Sequence, residues 1–136
     1  MVNIFYEDTE TLDLDPGFYN AWFEKVCGAE DMGLGGVVLV FCSDSYLLEI
    51  NQKHLAHDYL TDIITFDYSE GNHVSGDLFV SIDRVNENAI KFNVSRETEL
   101  RRVVVHGVLH LLGYGDKTPP DVKKMRAMEE RALSLI

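Results

Sequence analysis

A chain of 136 residues, 46% hydrophobic and 26% charged, has the size and composition of a single globular domain, which excludes a disordered segment or a fibrous repeat. Its formal net charge of −11 excludes a domain that grips nucleic acid through a uniformly basic surface. The balance is uneven: residues 1–83 carry 2 Lys or Arg against 16 Asp or Glu, and residues 84–136 carry 10 against 7, so any basic face belongs to the C-terminal part.

Residues 2–6 (VNIFY) have the short apolar and aromatic character of a strand. Pro16 then opens a helix to Ala29, in which Phe18, Ala21, Trp22, Lys25 and Val26 recur at helical spacing. Gly35 and Gly36 precede VVLVFC, residues 37–42, a buried strand far too short to cross a bilayer. Ser43 and Asp44 supply the cap for a helix to about Leu55. Residues 62–68 and 76–82 are two further strands, paired as a near-hairpin across the turn-forming SEGNHVS. Asp83 can cap a short helix to about Phe92, and Ser95 caps the next, which runs to a stop at Gly113. Pro119 and Pro120 start a last helix whose stripe is Val122, Met125, Met128, Ala132 and Leu135. The order βαβ-αββ-ααα predicts a single α/β (α+β) domain over residues 1–136, a small mixed four-stranded sheet packed with about five helices. Cys27 and Cys42 have neither CxxC spacing nor a framework of pairs and read as reduced, buried thiols. Without a basic and apolar leader in MVNIFYEDTE, the expected location is cytoplasmic, with no membrane association.

The chemistry concentrates in VVVHGVLHLLGYGDKTPP, residues 103–120. His106 and His110 are four apart, which on a helix brings their Cβ atoms within about 5–6 Å on one face, close enough to share one ion. An isolated HxxxH is more often two satisfied helix histidines, so the neighbours decide. Gly107 between them costs a helix about 1 kcal/mol relative to alanine and marks either tight helix packing or a close approach by substrate. Asp116 follows the stop at Gly113, and the Gly113-Tyr114-Gly115 connection can fold it back as a third ligand. Two imidazoles and a carboxylate leave a fourth position for water, as in catalytic zinc sites. The spacing HxxxHxxGxxD also approaches the zinc-protease pattern HExxHxxGxxH, but Gly107 stands where those proteases carry their glutamate base, which removes the main argument for peptide hydrolysis.

HGVLHLLGYGD, residues 106–116, resembles the HGxLHLxGYDH signature of the YbeY family of bacterial rRNA maturation factors. INQKHLAHDYLTDIITFDY, residues 50–68, is similar to that family's LNxxYRxxDxPTDVLSF segment, and Gly76-Asp77-Leu78 to its GDI strand start. Order and spacing agree from about residue 43 to 130. The resemblance implies a metal-dependent endoribonuclease of single strands, acting in 16S rRNA 3′-end maturation and ribosome quality control. It implies His106, His110 and Asp116 as the ligands of Zn2+, with Asp116 where most members have a third histidine. A carboxylate there admits manganese or magnesium as well. The family's arginine corresponds to Leu55, which cannot hold a phosphate; Lys53, Arg84, Arg101 and Arg102 are the candidate replacements. His54, His57 and His73 read as loop residues without a role.

The expected mechanism is in-line attack on the phosphodiester by water activated at the metal, with Asp58 and Asp62, which flank Thr61, as groups that could orient it. Attack by the RNA 2′-OH is the other route and differs by leaving a cyclic phosphate. RNA contacts would come from the basic C-terminal helices, with Tyr114 or Phe66 stacking on bases. The partners implied by the resemblance are rRNA and the small ribosomal subunit, with docking supplied by a small-subunit ribosomal protein or the GTPase Era. The competing readings are an assembly factor that keeps the metal but little nuclease activity, and a metal-dependent hydrolase of another substrate.

Overall fold

A computed structural model describes residues 1–56 and 59–136. Strand β1 (Val2–Tyr6) is followed by α1 (Pro16–Gly28), β2 (Gly33–Cys42) and α2 (Asp44–Leu55). Then come β3 (Ile63–Asp67), β4 (His73–Ser81), α3 (Ile82–Lys91), α4 (Arg96–Leu111) and α5 (Pro119–Leu133). The four strands form one sheet in the order β1-β2-β4-β3. β2 pairs in parallel with β1 and with β4, while β3 runs antiparallel along the outer side of β4. Parallel neighbours need a crossover, and α1 and α2 lie in those connections. The mixed α/β architecture read from the sequence is the one found.

The two faces of the sheet are unequal. Val37, Leu39 and Phe41 of β2, with Val74, Leu78 and Val80 of β4, enter the main core with α1, α3, α4 and α5. The opposite face buries a smaller cluster, Cys42, Leu47 and Ile64, under α2. Trp22 of α1 donates its indole N–H to the Ala132 carbonyl at 2.8 Å and so fixes the end of α5 against α1. Cys27 and Cys42 are free thiols inside these cores, and burial pushes their pKa values up to about 11 and about 12.

Helix α4 is the hub, with Leu100, Val103, Val104, Val105, Val108, Leu109 and Leu111 all buried. It sits hard on the sheet because two glycines lack a side chain there. A Cβ on Gly107 would lie 2.7 Å from Ile63 Cδ1 and 3.0 Å from both Leu78 methyls, so this glycine serves helix-to-sheet packing. A Cβ on Gly76 of β4 would meet the Phe66 carbonyl oxygen at 2.5 Å and Leu111 Cδ2 at 2.7 Å.

Four local expectations need correction. The cap of α3 is Ser81, whose hydroxyl accepts from Arg84 N–H, because β4 runs straight into the helix; Asp83 instead accepts from the Asp44 N–H at 2.9 Å. β2 begins at Gly33, with a shift of register between Leu34 and Val37, so Gly35 and Gly36 lie within the strand. Val122 shares the face of Met125, Glu129 and Ala132 but is exposed, because it stands in the first turn of α5 at the wall of an open cavity. His54 belongs to the last turn of α2, edge-on to Phe66, and His73 begins β4, so neither is a loop residue. His57 and Asp58 lie outside the described residues.

Backbone cannot yield as a side-chain tip can, so Gly76→Ala should cost about 1–3 kcal/mol. Gly107→Ala should cost less, because its neighbours are flexible chain ends and alanine gains about 1 kcal/mol of helix propensity. Urea unfolding of the two variants, with unchanged m-value, checks the order.

Candidate metal centre

The end of α4 builds the site. Gly113 has φ of +103°, which an L side chain rarely adopts, and the chain there closes a Schellman motif. The Gly113 N–H donates to the His110 carbonyl at 2.9 Å and the Tyr114 N–H to the Leu109 carbonyl at 3.0 Å. This reversal turns the Tyr114 carbonyl back toward His110, 2.8 Å from its Nδ1, and brings Asp116 over the helix face.

Each imidazole is thereby held by one nitrogen. His106 Nδ1 lies 2.7 Å from Glu129 Oε2, and a proton on Nδ1 satisfies that carboxylate just as one on His110 Nδ1 satisfies the Tyr114 carbonyl. Both Nε2 lone pairs are then free. They converge on Asp116 Oδ2, at 3.2 Å from His106 and 3.3 Å from His110, and the three donor atoms all lie within 4.8 Å of one another. Ligands about 2.0–2.1 Å from a tetrahedral ion stand about 3.3 Å apart, so the spacing to the carboxylate fits such a centre. These three residues could hold a metal ion, and the carboxylate and carbonyl behind the imidazoles are the supports that metal-binding histidines ordinarily carry.

Glu129 is the functional residue that sequence reading passes over. It is 2% exposed, on the inward stripe of α5 between Met125 and Ala132. Arg102 bridges it to a second buried carboxylate, Glu99: Arg102 Nη1 lies 3.2 Å from Glu129 Oε1, and Arg102 donates to both Glu99 oxygens. The helical spacing of Glu129 with Met125 and Ala132 was visible in the sequence, but an acidic residue on an apolar stripe reads as its edge. Burial opposes the charge of Glu129, yet His106 and Arg102 outweigh it and hold the carboxyl below its ordinary value. Burial likewise disfavours imidazolium at His106, and is outweighed by Glu129, Asp62 and Asp116, which raise its pKa.

Asp62 lines the same groove as His106, His110 and Asp116, and its pKa is raised by burial against the opposing influence of His106 and Arg102. Leu55 also lines this groove and is 42% exposed. The candidate replacements for an arginine at that place are occupied elsewhere. Lys53 pairs with Glu49, Arg84 with Asp44, and Arg101 with Glu97 while covering the Phe18 ring; Arg102 is the bridge between Glu99 and Glu129. Among the described residues, Lys117 is the cation that lines this side. The Tyr114 hydroxyl donates to Glu30 at 2.6 Å, and Phe66 makes edge contacts with Phe79 and His54; both rings are half-buried.

A family model described as Endoribonuclease YbeY matches residues 5–136. A relative named Endoribonuclease YbeY from Flavobacterium johnsoniae is 46% identical over 135 residues, covering 99% of this chain and 96% of its own. Another of that name, from Phocaeicola vulgatus, is 43% identical over 136 residues, covering 100% and 99%. The solution structure of TM1509 from Thermotoga maritima superposes with a TM-score of 0.61 at 28% identity, over 98% of this chain and 90% of that one.

Glu129→Gln keeps the shape behind His106 and removes the charge, so affinity for a divalent ion should fall about 10–100-fold in calorimetric titration of metal-free protein. The pH dependences have opposite signs. Ionised Glu129 stabilises the fold above its ordinary value of 4.5, and this contribution is lost as pH falls through the lowered value, a loss the glutamine variant should lack. Protonated His106 stabilises metal-free protein below 6.5, and that contribution is lost as pH rises through the raised value. Divalent-ion binding, which needs the bare Nε2, should therefore weaken as pH drops through the same range.

Proposed function

This chain belongs to the YbeY endoribonuclease family, and we propose that it cuts single-stranded RNA at a divalent ion, Zn2+ by preference, held by His106, His110 and Asp116. The observation that carries the reading is the convergence of two Nε2 atoms on one carboxylate oxygen while both Nδ1 atoms are tied behind. Two imidazoles and one carboxylate suit zinc better than magnesium, which prefers oxygen ligands. When bound, such an ion supplies Lewis acidity toward a phosphoryl oxygen and toward water.

The chain's own residues do the rest. Glu129 and the Tyr114 carbonyl keep both rings in one tautomer and orientation, so the donor atoms need no rearrangement during turnover. Asp62, which lines the groove and is partly buried with a raised pKa, would orient the attacking water and take its proton as the P–O3′ bond breaks, the departing 3′ oxygen being protonated from solvent. The proposed substrate is the 3′ end of 16S rRNA on the small ribosomal subunit. Docking by a small-subunit ribosomal protein or Era offsets the repulsion that a net charge of −11 presents to free RNA. A cytoplasmic location follows from that role, and no helix among the described residues is long and apolar enough to cross a membrane.

The test uses nuclease-free protein and a labelled single-stranded RNA. Cleavage should stop with chelator, return with zinc, and be lost in His110→Ala; Asp62→Asn should lower kcat by about 10²–10⁴ while retaining the metal. Products should carry a 5′-phosphate, and exclusive recovery of 2′,3′-cyclic phosphate would remove the water route. Metal retained without cleavage, on RNA or on intact subunits, would favour the non-catalytic assembly factor.

A further inference from the structure

Two cavities meet at the triad, and both are lined by Asp62, His106 and Asp116. The larger, about 460 Å³, runs past Asn51, Leu55 and Tyr59 along β3. The smaller, about 270 Å³, lies on the other side of the histidines, between α3, α4 and α5. A strand crossing the triad would occupy both, so the second cavity should show what the strand presents there.

Besides the carboxylates of Asp62, Asp116 and Glu129 at the triad, its lining carries groups suited to a nucleotide. Phe92, at the end of α3, is 45% exposed and turns its ring into the cavity wall. Lys91 Nζ lies over the ring at 5.6 Å from its centroid and Arg102 Cζ at 5.9 Å, so a base that stacks on Phe92 shares the ring with these cations, the lysine chain being free to swing aside toward a phosphate. Asn88, one turn earlier on α3, lines the same wall with an amide that can both donate and accept. Arg126 of α5 lines the opposite side with its side chain 56% exposed; its reach to Glu129, 3.4 Å, is long for a charge-assisted hydrogen bond. A ring for a base face, an amide for a base edge and a guanidinium for a phosphate are the elements by which single strands are held. The α3–α5 side offers this combination on α3 and α5; the larger cavity carries the exposed Tyr59 ring, the Asn51 amide and Lys117, so a strand would meet comparable groups on both sides of the triad.

We propose that the α3–α5 cavity seats the nucleotide next to the scissile bond, its base stacked on Phe92 with Asn88 at the edge, and its phosphate on Arg126. The proposal rests on the endoribonuclease reading above and assigns that activity a second arm. Because the triad lies between two arms, the preferred bond is internal, with RNA extending to both sides.

Binding is tested apart from turnover, with chelated full-length protein and a fluorescein-labelled single-stranded RNA decamer at low salt, read by anisotropy. Phe92→Ala should weaken binding about 10–100-fold, the loss of one stacked base, and Phe92→Trp should restore it. Arg126→Ala should weaken binding and reduce the slope of log affinity against log salt by about 1. Ile90→Ala, an exposed position on the same helix, should change nothing. Thermal melting establishes that each variant folds, and the tryptophan variant keeps the test decisive if the alanine variant does not. Equal affinity of wild type and Phe92→Ala, no binding by wild type, or tighter binding of oligoglutamate than of RNA would each overturn the proposal. Metal-dependent cleavage measured alongside separates the two readings. Cleavage with Phe92-independent binding removes the seat and leaves the enzyme; Phe92-dependent binding without cleavage does the reverse.

Discussion

An imidazole can turn either nitrogen outward, and a site that needs two of them must fix both rings. Here the fixing is done from behind, through Nδ1 of His106 on Glu129 and Nδ1 of His110 on the Tyr114 carbonyl. The supports come from different places in the chain, one from α5 and one from the turn that ends α4. Both depend on where α4 is held, and it is held by its buried apolar residues and by a glycine that sits flush on Ile63 and Leu78. Helix packing, helix capping and the site geometry are therefore one constraint.

The charges behind His106 form a chain inside the protein: Glu99, Arg102, Glu129 and His106. Isolated charges would be costly in that setting, and removing one partner of a buried pair typically costs about 3–5 kcal/mol. With His106 neutral, the two carboxylates face the Arg102 guanidinium and, at Glu129, that of Arg126 as well. The Glu129 carboxylate on His106 Nδ1 strengthens the donor power of the Nε2 lone pair. It also accounts for the engagement of Arg102, whose guanidinium serves the core before any phosphate. An acidic protein that handles RNA thus commits Arg102 to its core, and Lys117 and Arg126 are cations that line the two cavities beside the triad.

The order of the elements is legible in the sequence because local rules dominate it. β-branched runs, Ser caps at Ser43 and Ser95, prolines at first turns and Gly113 at a helix stop each act over a few residues. Where a local rule has rivals within one turn, as at Ser81 and Asp83, the entering strand decides between them. The spacing of His106, His110 and Asp116 is likewise local, since one helix face and one reversal suffice to bring the three together.

Glu129, Asp62 and the second cavity are of another kind, because each depends on contacts between elements distant in the chain. Glu129 is 23 residues from His106 and reads as a solvated helix charge until α5 is laid against α4. Asp62 has the look of a turn residue until burial beside His106 raises its pKa. Gly107 shows only that something comes close, and the packed sheet identifies it as Ile63 and Leu78. Sequence by itself determined the elements, the α/β architecture and the three candidate ligands, all set by periodicity and spacing. Tertiary structure alone decided which nitrogen each histidine presents, which cations remain open and what lines the groove, because burial and long-range pairing have no local signature.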